Sequence, residues 1–65
     1  MHETHTVQTS EGKAEVRIRR TTVDGQRGWV WEWRMEGSDE WSEPNGPLQT
    51  KVEAREWALD TTSGF

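Results

Sequence analysis

The chain has 65 residues, with 12 acidic side chains, 8 basic side chains and a net charge of −4, which predicts one small domain spanning residues 1–65. It has no cysteine, which excludes disulfides, thiolate zinc sites and thiol nucleophiles. No apolar run is long enough to span a membrane, and the opening MHETHTVQTSEGK lacks the basic and apolar regions of a signal peptide, so we expect a soluble, cytoplasmic protein with no membrane partner.

The N-terminal segment allows two interpretations. Residues 1–12 are either flexible or form an extra edge strand, in which THTVQT is the strand and SEGK the turn that follows it. His2 and His5 have a spacing that suits two metal ligands on a helix, but no helix is expected there and no cysteine completes a zinc site. We therefore expect no metal site.

Residues 14–35 predict a β-hairpin. Asp24 and Gly25 suit a two-residue type I′ turn, and apolar and polar residues alternate on both sides of it. With this loop Ile18 lies opposite Trp31, and Val16 lies opposite Trp33. The same register joins opposite charges on the other face in the pairs Arg17–Glu32, Glu15–Arg34 and Lys13–Glu36.

Three tryptophans alternate in the second strand of this hairpin, in the stretch GWVWEWRM. Because Trp31 and Trp33 lie opposite aliphatic residues, they are predicted to form the apolar face of the sheet and the core, rather than a platform on which bases stack. Trp29 lies opposite Arg20, at the margin of that core.

A short third strand is predicted over residues 39–43, after a turn at Gly37 and Ser38. Its register is open. A two-residue loop places Trp41 beside Arg34 on the charged outer face, whereas a three-residue loop places it beside Met35 in the core. The segment EPNGP is predicted to end the strand, because proline cannot donate to a ladder.

A helix is predicted from the capping box formed by Thr50 and Glu53, and it runs to about Asp60. Its buried face is predicted by three- and four-residue spacing and consists of Ala54, Trp57, Ala58 and Thr61. The fold class is therefore α+β: an antiparallel sheet of three strands, or four if the N-terminus adds one, packed against one C-terminal helix.

The charges are divided unevenly along the chain. Residues 1–35 hold six basic and five acidic side chains, for +1, whereas residues 36–65 hold two and seven, for −5. An acidic half argues against direct binding of nucleic acid, which needs a basic stripe. The candidate partner-binding residues are Asp39, Glu40, Trp41, Glu43, Glu53, Glu56 and Asp60. Among them, Trp41 is the expected anchor if its ring points outward.

No catalytic residue or cofactor is predicted. A Ser-His-acid triad needs a serine on a rigid strand or loop and a positioned histidine, and the sequence suggests neither. No glycine-rich phosphate loop is present. The carboxylates of Asp39, Glu40 and Glu43 are suited in principle to acid–base work, but on a short edge strand they are more simply a solvated face. We expect a protein that is not an enzyme.

The segment WEWRMEG, together with GPLQTKVEAREWA, resembles the N-terminal Arm-type DNA-binding domain of tyrosine recombinases. That family has a three-stranded sheet followed by a helix entered through a T-K-x-E-A box, matched here by Thr50, Lys51, Glu53 and Ala54. The resemblance implies that DNA contacts come from the sheet, at positions 15, 17, 19, 30, 32 and 34. Arg17, Arg19 and Arg34 fit that role, whereas Glu15 and Glu32 do not.

In size, acidity and lack of an active site, the chain also resembles the small inhibitors carried by phages, anti-CRISPR proteins in particular. Several of these imitate a phosphate backbone with carboxylates. The resemblance implies an inhibitor whose partner is a basic nucleic-acid-binding protein, such as a CRISPR effector subunit, and we expect the chain to be a monomer. The DNA-binding domain is the alternative. The sign of charge on the exposed surface distinguishes the two.

Overall fold

The computed structural model describes residues 2–65, which form an antiparallel sheet covered on one face by a helix. The strands lie side by side in the order β1, β2, β3, β4. The elements are β1 (His2–Thr9), β2 (Gly12–Val23), β3 (Gln26–Met35), β4 (Asn45–Leu48) and α1 (Lys51–Ser63). This confirms the α+β class, and the N-terminus supplies an edge strand rather than a flexible tail. Within residues 2–65 no helix is long and apolar enough to cross a membrane.

The hairpin of β2 and β3 has the predicted register. Ile18 pairs with Trp31 and Val16 with Trp33, while Arg17 pairs with Glu32 on the other face. Turn chemistry decides this register. Asp24 has a φ of 50° and Gly25 a φ of 82°, as a type I′ turn requires at both central positions.

The core lies between the sheet and α1. Val16 and Ile18 of β2 are fully buried against Ala54 and Ala58 of α1, and Trp31 is 6% exposed in the same cluster. Trp29 and Trp33 pack against this cluster and are partly buried. The tail folds back onto the core, because the Phe65 ring meets the Trp33 ring edge-on with centroids 4.6 Å apart. The predicted core position of Trp31 is confirmed, Trp33 packs partly buried against that core, and Trp29 lies at its margin as predicted.

The predicted strand over residues 39–43 is wrong. Residues 38–44 have no regular structure, and the last strand is instead β4, built from the segment that was predicted to end a strand. Proline is tolerated there because β4 is a short edge strand with a register shift against β3. A Cβ built on Gly28 falls 2.5 Å from the Cβ of Pro47, so the missing side chain at Gly28 lets Pro47 lie against β3.

The helix begins where predicted, with Thr50 as N-cap, and it extends to Ser63. Its predicted buried face is partly wrong. Ala54 and Ala58 are buried, but the third buried residue is Thr62, whereas Thr61 is exposed and Trp57 is 57% exposed. The alanines allow close approach to the sheet. The hydroxyl of Thr62 is satisfied inside the helix, where it donates to the carbonyl oxygen of Ala58 at 2.6 Å.

Candidate binding surfaces

One candidate surface is the side of α1 that faces away from the sheet. We call it the acidic helix surface and define it as Glu53, Glu56, Trp57 and Asp60. These residues and Leu59 line a shallow open groove. At about 100° per residue, the acidic side chains lie roughly opposite the buried Ala54 and Ala58, and Trp57 lies on their flank. Trp57, a residue that is 57% exposed, thus stands beside three carboxylates.

Glu53 has a structural role in addition to its charge. Its backbone N–H donates to the hydroxyl of Thr50 at 3.1 Å, and that hydroxyl in turn donates to the Glu53 carboxylate at 3.2 Å. In a complete capping box the Glu53 carboxylate would accept from the Thr50 amide, but here it accepts from the Thr50 hydroxyl instead. A carboxylate in the first turn is also favoured by the helix dipole. The helix cap therefore accounts in large part for the presence of a glutamate at position 53.

Asp60 has no such explanation in the helix. It lies in the final turns of α1, where the dipole disfavours negative charge, and the last turn holds no basic residue. Within residues 2–65, neither Glu56 nor Asp60 forms an ion pair. These two carboxylates carry charge that the fold itself does not use.

The basic residues of the C-terminal half are both turned toward β1. Arg55 donates to the Glu3 carboxylate through Nε at 2.7 Å and Nη2 at 2.9 Å, and Lys51 Nζ lies 3.0 Å from Glu3 Oε1. Hydrogen bonds from Arg55, then His5 and Lys51, hold the pKa of Glu3 well below its ordinary value. The same bond raises the pKa of Arg55. Consequently no cation of residues 36–65 offsets the acidic helix surface.

A second candidate surface surrounds Trp41. The segment 36–44 returns along β3, held by the Ser42 N–H to the Trp33 carbonyl at 2.8 Å and the Trp33 N–H to Ser42 Oγ at 3.0 Å. The Trp41 ring lies 4.3 Å from the Arg17 guanidinium and 4.4 Å from that of Arg34. Of the two predicted environments, the charged outer face beside Arg34 is the one observed.

Ion pairs occupy the arginines of that outer face. Glu32 is buried, and its Oε1 accepts from Arg17 Nη2 at 2.6 Å and from Arg19 Nε at 2.9 Å. Arg34 Nη2 lies 3.5 Å from the carboxylate of Glu15. The three arginines that the Arm-type resemblance assigns to DNA are therefore bound to neighbouring carboxylates, and two of them also contact Trp41.

The predicted partner-binding residues thus fall into two groups. Asp39, Glu40 and Glu43 are exposed on the segment that carries Trp41, while Glu53, Glu56 and Asp60 belong to the helix. Trp41 rests on the sheet face opposite the helix, so the sheet stands between the ring and the helical carboxylates. Sequence reasoning missed Trp57, because three-residue spacing from Ala54 placed it in the core.

Residues 2–65 contain no group of three His, Asp or Glu side chains arranged to hold a metal ion. His5 Nε2 contacts the Glu3 carboxylate, which Arg55 and Lys51 also hold. No protein-family model, curated protein or solved structure matches the chain.

Proposed function

We propose that this protein is a non-enzymatic inhibitor of a nucleic-acid-handling machine, and that it binds a basic groove of its target through the acidic helix surface. The observation that carries the proposal is the exposure of Trp57 beside Glu56 and Asp60, whose charges nothing in the fold neutralises. A CRISPR effector subunit is the candidate target, as the resemblance to small phage inhibitors implies.

The chemistry of the surface supports protein binding. Tryptophan is enriched among the residues that dominate interface energies, and it is highly buried on average in folded proteins. Carboxylates around it steer association toward a positive surface and make the rate sensitive to salt. A groove that normally accepts phosphates is a positive surface of this kind, so its occupation by Glu56 and Asp60 excludes nucleic acid.

The alternative, a DNA-binding domain that uses the sheet, has less support. Arg17 and Arg19 share one oxygen of the buried Glu32, and Arg34 is held by Glu15 and Trp41. Freeing these guanidinium groups for phosphate would leave a buried carboxylate unpaired, which is costly. The arginines of the sheet are thus less available to phosphate than the carboxylates of the acidic helix surface are to a cationic partner.

The test compares two charge reversals of equal size on the two candidate surfaces. Glu56→Lys with Asp60→Lys changes the acidic helix surface and leaves the cap formed by Glu53 intact. Asp39→Lys with Glu43→Lys makes the same change in net charge on the segment that carries Trp41. Immobilised wild-type protein and both variants are exposed to a bacterial lysate, with and without duplex DNA as competitor.

We expect wild-type protein and the 39/43 variant to capture a basic protein that added DNA displaces, and the 56/60 variant to lose it. Purified target should then fail to bind nucleic acid in the presence of wild-type protein. Equal capture by all three folded proteins contradicts the proposal for the helix. Loss only in the 39/43 variant instead identifies the surface around Trp41 as the binding site.

A further inference from the structure

The outer edge of β1 is open and regular. All eight residues of β1 pair in register with β2, without a bulge, and within residues 2–65 no strand pairs with its other edge. The strand HETHTVQT contains no proline and no lysine, which are two of the residues that block pairing at natural sheet edges. The opposite edge differs, because β4 has four residues, one proline and a register shift.

The direction of the free hydrogen-bonding groups follows from the ladder. The Glu36 N–H donates to the Lys13 carbonyl at 2.9 Å, so odd-numbered residues of β2 bond toward β3. Even-numbered residues of β2 consequently bond toward β1, where their partners are Glu3, His5, Val7 and Thr9. The backbone groups of Thr4, Thr6 and Gln8 therefore point outward.

We propose that a second copy of this chain occupies this edge, with the two β1 strands antiparallel across a twofold axis normal to the sheet. Outward-bonding residues must pair with one another in such a ladder. The register that uses the whole edge places Thr4 of one copy opposite Thr6 of the other, and His2 opposite Gln8. Both copies then contribute to one continuous sheet.

Self-complementarity is the reason to assign a second copy to this edge. The twofold arrangement brings threonine opposite threonine, a favourable cross-strand pair. The one carboxylate of β1, on Glu3, is already bound to Lys51 and Arg55 of its own chain, so no unpaired acid is brought into the contact. The side chains of α1 that face away from the sheet stay accessible. The dimer differs from the monomer expected from the sequence, because the open edge is visible only once the register of β1 is known.

The experiment measures mass in solution. Sedimentation equilibrium of the wild-type chain at concentrations up to about 1 mM should give twice the mass of the single 7.6 kDa chain. Thr6→Pro removes one outward N–H and no bond to β2, so it should give the single-chain mass. The matched control Thr6→Val changes the same side chain, keeps the N–H and should retain the dimer.

A single-chain mass for wild-type protein at every concentration overturns the proposal, as does a dimer that persists in folded Thr6→Pro. Amide hydrogen exchange of the wild type provides a readout that does not depend on the variant folding. Exchange at Thr4, Thr6 and Gln8 should slow by about tenfold or more as concentration rises through the dimerisation range. Concentration-independent, fast exchange at these three amides also overturns the proposal.

Discussion

Trp31 and Trp57 are the same side chain in opposite surroundings, with 6% and 57% of the residue exposed. Trp31 of β3 packs in the core between the sheet and α1, and its removal leaves a cavity. We expect Trp31→Ala to lower the free energy of unfolding by about 3–5 kcal/mol, and Trp57→Ala to lower it by less than about 0.5 kcal/mol. Urea unfolding followed by circular dichroism measures both.

The same pair of variants separates stability from function. Trp57→Ala should remain folded and lose most of the captured target, because an exposed aromatic anchor contributes chiefly to binding. A large loss of stability in Trp57→Ala would show that its ring packs against the protein. In that case the acidic helix surface would lack its proposed anchor.

The start of α1 depends on one hydroxyl group. Thr50 Oγ1 accepts from the Glu53 N–H at 3.1 Å, and alanine at this position leaves that donor without its protein partner. We expect Thr50→Ala to lower the free energy of unfolding by about 1 kcal/mol. Thr61→Ala is the control, since Thr61 is exposed within the helix and alanine has the higher helix propensity. Equal effects of the two substitutions in urea unfolding would show that the cap does not contribute.

The attachment of β1 to α1 should depend on pH. The folded state lowers the pKa of Glu3 below its ordinary value near 4.5, mainly through Arg55. A carboxyl group with a depressed folded pKa stabilises the protein above the unfolded pKa, and this contribution is lost as the pH falls toward the folded pKa. We therefore expect stability to decrease as the pH is lowered below about 4.5, and to decrease less in Glu3→Gln.

Thermal unfolding at a series of pH values, from neutral to acid, tests this expectation. Glu11→Gln serves as the control, because Glu11 is exposed in the turn between β1 and β2. It should retain the acid-dependent slope of the wild type. An identical slope in Glu3→Gln and wild type would mean that another carboxyl group causes the acid sensitivity.

The β2–β3 hairpin and the chain between β3 and α1 differ in how far the sequence determines them. In the hairpin, the turn at Asp24 and Gly25 and the pairing of Arg17 with Glu32 specify one register. In residues 36–48 the signals are local and ambiguous, because Pro47 excludes a central strand but not a short edge strand. The place of β4 depends on the missing side chain of Gly28, which is in a different element.

The candidate site was predictable in charge but not in geometry. The sequence shows that acid dominates residues 36–65, yet it does not show that Lys51 and Arg55 both reach across to Glu3. Nor does helical spacing decide which flank of α1 is buried. In helical projection Trp57 lies close to the face that carries Ala54. Only the way α1 packs against the sheet decides whether Trp57 is buried or exposed.

Considered as a whole, the molecule binds five of its eight basic side chains to its own carboxylates. The arginines of the outer sheet face are bound to Glu32 and Glu15, and the net charge of −4 adds a general repulsion of polyanions. Affinity for DNA depends on the number of phosphates that free basic groups neutralise. We therefore expect little or no binding to duplex DNA at physiological salt.

Fluorescence anisotropy of a labelled duplex, titrated with the protein, measures the affinity and tests this expectation. The dissociation constant should be weaker than about 10⁻⁴ M, the weak end of ordinary non-specific binding. Lowering the salt should recover little affinity, because few counterions are released. Micromolar affinity with a steep salt dependence would contradict the prediction and favour an Arm-type DNA-binding domain. Binding of that strength requires Arg17, Arg19 and Arg34 to exchange their carboxylate partners for phosphates, and Arg17→Ala should then reduce the salt slope by about one.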